Sequence, residues 1–297
     1  MSAVTASSQG LLPARRLGYV TLDTPDMDGA VAYFSNVIGL NLVARDPAQA
    51  VLATNDGIES VVLRPGEKTG LAGVSFQLAP TTDLSLACSA LQDAGITASI
   101  RPGRTLGVEQ SIWFEDPGGI VVELFTSLQF ATLEIQQSGI APIKLGHVAR
   151  VVESPPDLAA FYERVLGFRR SDWCDDAAIF LRCGPDHHTI NFFKGQPRLQ
   201  HIAFQVKDWS ELARSADHLR RWHLPLDWGP ARHHIGHNMA CYHSNADDVR
   251  VELFCEMDQM LDEELGFFDP RPWHEDRPQR PKNWGVTLRN AWTPAAP

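Results

Sequence analysis

Apolar and polar positions alternate in short bursts along most of the chain, and between the bursts the period lengthens to that of a helix. LGYVTLDT (17–24) reads as a strand running into a Pro/Asp turn, and the segment after it, closed by Gly39, as an amphipathic helix. The same order returns 128 residues later in LGHVARVVESPPDLAAFYERVLGF (145–168). At that offset LAGVSFQL (71–78) falls on LQHIAFQV (199–206), and IVVELF (120–125) meets VRVELF (249–254) after one further residue. Three landmarks in order at nearly constant spacing indicate an internal duplication. A finer repeat lies inside each copy. LGHVARVV with a helix near 157–166 resembles LQHIAFQV with a helix near 209–222, and short strands broken at Gly, Pro, Asn and Asp follow each helix. The unit is strand–helix–strands, used four times, which makes an α+β chain. We expect a first module at 15–130, a linker at 131–142, a second module at 143–257, and a Pro/Trp-rich tail at 258–297. Trp273, Trp284 and Trp292 would pin that tail as a packing arm or interface element.

Composition narrows the class of partner. The chain has 297 residues, enough for about two domains, and 44% of them are hydrophobic, enough for a real core. A formal charge of −10 argues against nucleic acid or an anionic membrane as a partner, because phosphate contacts need clustered Lys and Arg. No apolar run approaches the roughly 20 residues that span a bilayer. The start, MSAVTASSQGLLPARRLGYV, lacks the basic-then-apolar order of a signal peptide. Five cysteines without a CxxC pair make a disulfide framework or zinc knuckle unexpected, so a reducing cytoplasm is the expected setting.

The copies differ where chemistry is to be sought. At the three landmarks the first has Tyr19, Gly73 and Glu123, and the second has His147, His201 and Glu252. All eleven histidines lie at or after His147, and four of them crowd into RHHIGHNMACYH (232–243). Strand alternation puts Ile202, Phe204 and Val206 on one face and His201 on the other. In the same way Val249, Val251, Leu253 and Cys255 oppose Glu252, while His147 shares a face with Ala149 and Val151. If the strands curl into a cup, two imidazoles and a carboxylate meet inside it. That donor set is the facial triad of non-haem Fe(II) sites, which leaves positions open for substrate and dioxygen. A single strand histidine is more often a hydrogen-bonded core or surface residue; only the joint pattern points to a metal.

These residues resemble the vicinal oxygen chelate (glyoxalase/bleomycin-resistance/dioxygenase) superfamily. Within it they are similar to the type I extradiol ring-cleavage dioxygenases, of which catechol 2,3-dioxygenase and dihydroxybiphenyl dioxygenase are members. The resemblance covers about 15–257. It implies two tandem modules, each of two βαβββ units forming a cup-like, partly closed barrel, with metal only in the second. By that resemblance His147, His201 and Glu252 hold Fe(II), or Mn(II) in some relatives. His188, thirteen residues before His201, is the acid–base residue, with His187 its neighbour. His233 and Tyr242, at family-like spacing from Glu252, hydrogen-bond a bound catecholate. Ile190 and Phe192 share parity with His188 and are read as shaping the cavity, with core packing an equal alternative, and His237 is a further candidate for its lining. His234 and His243 face solvent or pack locally, and His218, His223 and His274 are surface or structural. The function implied is extradiol cleavage of a catechol by dioxygen in aromatic catabolism, in a homo-oligomer, with Phe192 favouring a hydrophobic catechol. A glyoxalase- or epimerase-like enzyme and a non-catalytic aromatic-binding module are the alternatives. Tyr19 and Gly73 offer no imidazole, which counts against ligands split between modules.

Overall fold

A computed structural model describes residues 10–105, 107–132, 139–269 and 279–285. Trp273, Trp292 and His274 lie outside the described residues, as does part of the expected linker. The first half runs β1 (Arg16–Thr24), α1 (Met27–Ala32, continued by a wider π-type turn over Tyr33–Ile38), β2 (Asn41–Arg45), β3 (Ala50–Ala53) and β4 (Glu59–Pro65), then β5 (Gly70–Gln77), α2 (Leu84–Asp93), β6 (Ser99–Pro102), β7 (Gln110–Glu115) and β8 (Val121–Phe125). The second runs β9 (Lys144–Val152), α3 (Pro155–Leu166), β10 (Arg169–Cys174), β11 (Ala178–Arg182) and β12 (Ile190–Lys194), then β13 (Arg198–Gln205), α4 (Trp209–Arg221), β14 (Trp228–Arg232), β15 (Met239–Ser244) and β16 (Arg250–Cys255). A short β17 (Lys282–Asn283) follows. Four βαβββ units are thus present in two tandem pairs.

Local chemistry sets the helices. Asp208 accepts the Glu211 N–H at 3.0 Å to start α4, and Asp83 caps α2 in the same way. Pro155 opens α3, where its missing N–H costs nothing, and Gly167 closes it with a left-handed φ of 64°.

Each pair of units makes one open sheet. The strand orders are β2-β3-β4-β1-β5-β8-β7-β6 and β14-β15-β16-β13-β9-β12-β11-β10-β17. In both, two antiparallel strands (β1 with β5, β9 with β13) occupy the middle, and each has the last strand of its own unit parallel beside it. The tail does not stand apart from this sheet, because β17 extends it beside β10.

The strands are two-faced. Val148, Val152, Ile202, Phe204, Val251 and Leu253 join a single hydrophobic core that also takes in Leu22, Val61, Phe76 and Leu124 of the first half. The opposite, concave face of the second sheet holds Ala203, Tyr242 and Phe254. The recurring Leu-Gly pair that opens β1 and β9 has a steric cause. A Cβ on Gly146 would sit 2.4 Å from the Phe254 ring, and one on Gly18 would sit 2.6 Å from the ring of Phe125.

Candidate metal centre

β16, β13 and β9 are neighbours, so Glu252, Ala203 and His147 lie side by side on one rung of the sheet. His201 stands two residues before Ala203 on the same face of β13. The small Ala203 side chain leaves a space over which the larger three lean. His147 Nε2 lies 3.1 Å from His201 Nε2, and each of those nitrogens lies 3.1 Å from Glu252 Oε2. All three residues are buried. Two imidazole nitrogens and a carboxylate oxygen cannot all satisfy one another with protons at such spacing. A cation can, since bonds of about 2.2 Å at right angles set neighbouring donors about 3.1 Å apart.

The electrostatics point the same way. Burial opposes ionisation of Glu252, but the charge and hydrogen bond of His147, and then those of His201, hold its carboxyl well below the usual range. Burial pushes His201 down to about 4, with Glu252 pulling against it. Its Nδ1 is held by the Gln200 side-chain oxygen, which leaves the Nε2 lone pair for the centre. Asn238 Nδ2 donates to Glu252 Oε1 at 2.7 Å, and the Tyr242 hydroxyl donates to Oε2 at 2.7 Å. Because Tyr242 spends its proton there, His233 Nε2, 2.9 Å from the same hydroxyl, is the donor of the next link. Trp228 stacks on the His233 ring at 4.7 Å and fixes its plane. On the other side of the triad the His188 ring meets His147 edge-on, with centroids 4.3 Å apart. Burial, then repulsion from His147 and His187, keeps His188 well below the usual imidazole range, so it is neutral. A cavity of about 420 Å³ opens above these groups, with Phe180, Phe193, Ala178 and Val151 among its apolar walls.

The family model for the Glyoxalase/Bleomycin resistance protein/Dioxygenase superfamily matches residues 16–124 and 144–253. The chain belongs to that superfamily. Metapyrocatechase 2 of Cupriavidus necator is 29% identical over 274 residues, covering 80% of this chain and 82% of the relative. The manganese-dependent 2,3-dihydroxybiphenyl 1,2-dioxygenase of Geobacillus genomosp. 3 is 24% identical over 295 residues, covering 91% and 93%. Among solved structures, the 2,3-dioxygenase LapB of Pseudomonas sp. KL28 superposes with a TM-score of 0.78 at 22% identity, covering 92% of this chain and 99% of that one. A Mn(II)-bound glyoxalase of Novosphingobium aromaticivorans shares the fold at a TM-score of 0.76 and 26% identity, covering 84% of both chains.

The fold brings together only part of the set expected from the sequence. His147, His201, Glu252, His188, His233 and Tyr242 all line the one cavity. Ile190 and Phe192 do not. Both are fully buried in the core, and Phe192 packs on the Tyr162 ring of α3. Thr189 is a bend, so the alternation counted from His188 restarts at Ile190 and gives the cavity to Asn191 and Phe193 instead. His237 also turns away. Its φ of 53° rotates the side chain toward Asp258 Oδ2 at 2.6 Å, and Asn238 takes the cavity side. His243 is neither exposed nor locally packed, because it is fully buried and its Nε2 lies 2.7 Å from the Tyr33 hydroxyl of the first half. His234 lines the cavity and meets the Trp284 ring at 4.6 Å. Asn238, Gln200, Trp228 and Phe180 went unread in the sequence. Only Asn238, inside the histidine cluster, carried a local signal.

The first module shows what replaces the metal set. Glu123 Oε1 accepts the Ser111 hydroxyl at 2.6 Å, and Arg104 Nε lies 3.7 Å from Oε2. A guanidinium supplies the positive charge, so a glutamate persists there without imidazoles. Ser75, at the position equivalent to Ala203, uses its hydroxyl to bond the Tyr19 backbone.

Proposed function

We propose that the protein is an extradiol dioxygenase that cleaves a catechol-type ring beside the diol, at an Fe(II) or Mn(II) centre held by His147, His201 and Glu252. The observation that carries this reading is the meeting of three donor atoms 3.1 Å apart, flanked by His188 on one side and the Tyr242–His233 pair on the other. Similarity to a metapyrocatechase and to a manganese-dependent 2,3-dihydroxybiphenyl 1,2-dioxygenase supports it. When bound, such an ion activates the diol and lets its electrons reach dioxygen.

The protein's own groups do the remaining work. His188, neutral and facing the cavity, accepts a proton from a substrate hydroxyl and returns it later in the reaction. Tyr242, kept protonated because burial and then the Glu252 charge push its pKa well up, presents its hydroxyl at the opposite side. With substrate bound, that hydroxyl would turn from Glu252 Oε2 to a substrate oxygen and, with His233 Nε2–H still donating to it, stabilise negative charge there. Phe180, Phe193 and Ala178 exclude water and accommodate an apolar substituent. Fe(II) and Mn(II) share these donors, so the ion that supports turnover is the one to be assayed.

The glyoxalase-like alternative draws on the shared fold of the Mn(II)-bound glyoxalase. Protein loaded anaerobically with Fe(II), and separately with Mn(II), and given a panel of catechols in an oxygen electrode separates the readings. One dioxygen consumed per catechol, with both atoms of labelled oxygen in the ring-opened product, is expected. Intact catechol and no oxygen uptake across the panel would remove the dioxygenase reading.

A further inference from the structure

Behind His188 runs a buried chain of hydrogen bonds that the chemistry above does not use. Asp172 on β10 accepts the backbone N–H of Lys282 on Oδ1 at 2.9 Å, and its Oδ2 lies 3.0 Å from His187 Nε2. His187 Nδ1 in turn lies 3.0 Å from His188 Nδ1. Asp172 is 1% exposed, His187 0% and His188 4%, so these groups are shielded from bulk solvent. Phe268 lies 4.8 Å from the His187 ring, Phe180 lies 5.4 Å from the His188 ring, and the Gly236 backbone closes the remaining side.

We propose that Asp172 and His187 are positioning residues that place the proton of His188 on Nδ1 and leave Nε2 as a bare acceptor in the cavity. The direction of each bond follows from its neighbour. A backbone N–H can only donate, so Asp172 is fixed as an acceptor on that side. As a carboxylate it also accepts on Oδ2, which puts the His187 proton on Nε2. As proposed, His187 carries that single proton, so its Nδ1 offers a lone pair that the N–H of His188 fills. His188 Nε2 therefore meets a substrate hydroxyl with no proton of its own. When that hydroxyl proton moves to Nε2, the ring's other N–H already points along a chain that ends at a carboxylate. The C-terminal strand takes part, since Lys282 anchors the far end. This inference rests on the reading that His188 handles the substrate proton.

Nitrogen-15 labelling of histidine in Zn(II)-loaded protein, which is diamagnetic, reads the proton position directly, and a His188→Gln sample assigns the signals. His188 is expected to show a protonated Nδ1 and a bare Nε2. In Asp172→Asn the amide oxygen must still take the Lys282 N–H, so the amide nitrogen faces His187 and reverses both bonds. The nitrogen pattern of His188 should then invert, and kcat of the Fe(II) protein should fall at least about 10-fold with KM little changed. His187→Gln keeps an acceptor for His188 Nδ1 and should retain far more of kcat than His187→Phe. A protonated Nε2 on wild-type His188, or a His188 pattern untouched by Asp172→Asn, overturns the proposal. If the tautomer is as stated but no catechol is turned over, the dioxygenase reading fails and the proton assignment stands.

Discussion

At the scale of single residues, the centre depends as much on what is small as on what binds. Ala203 sits on the rung between His147 and Glu252, and its methyl group leaves the space over which their donor atoms meet. Ala203→Leu would fill that space with three more carbons. It is expected to leave the fold's circular dichroism intact while lowering the affinity for Fe(II) or Mn(II) at least about 100-fold, as displaced ligands and their supports do. Calorimetric metal titration checks this, and unchanged affinity would mean that the ion sits elsewhere. Strand alternation turned His147, His201 and Glu252 away from the core, and the fold brings their donors together because the register shifts between β9 and β13 fall just outside the His201–Ala203 stretch. Ile190, Phe192 and His237 were misplaced for the opposite reason. A bend at Thr189 and a left-handed residue at His237 each reset the alternation, and neither position carries a glycine or proline to announce it.

At the scale of elements, the four βαβββ units were legible because each repeats a strand, a capped helix and Gly-punctuated strands. The π-type turn after α1 and the short β17 were not, since both depend on contacts made far away in the chain. The turn between β7 and β8 is another such contact. Its Asp116 meets Arg150 of β9 and accepts the Tyr162 hydroxyl of α3 at 2.9 Å, with all three groups buried. Replacing Asp116 by Ala would leave the guanidinium of Arg150 buried without its carboxylate. The expected loss is about 3–5 kcal/mol in urea unfolding. A change below 1 kcal/mol would show that this buried pair adds little to the joining of the two halves.

For the whole molecule, the two modules share a single core, and His243, expected to face solvent or pack locally, reaches across to Tyr33 of the first half. No helix among the described residues is long and apolar enough to cross a membrane, and all five cysteines are free. Burial lowers His243 to about 4, as it does His201. Between the ordinary imidazole value of about 6.5 and that lowered value the unfolded chain binds more protons than the fold. Stability of the metal-free protein is therefore full above pH 6.5 and falls as the pH drops toward 4. Urea midpoints at pH 7.5, 6 and 5 should decline in that order, and less steeply in His243→Gln; a flat series would contradict the buried neutral imidazoles. We propose that residues of the second module alone hold one divalent ion. Anaerobic equilibrium titration with Fe(II) reads that stoichiometry. One ion per chain is expected in the wild type and none retained in Glu252→Ala or His201→Ala. Full stoichiometry in either variant, or no ion in the wild type, would contradict it.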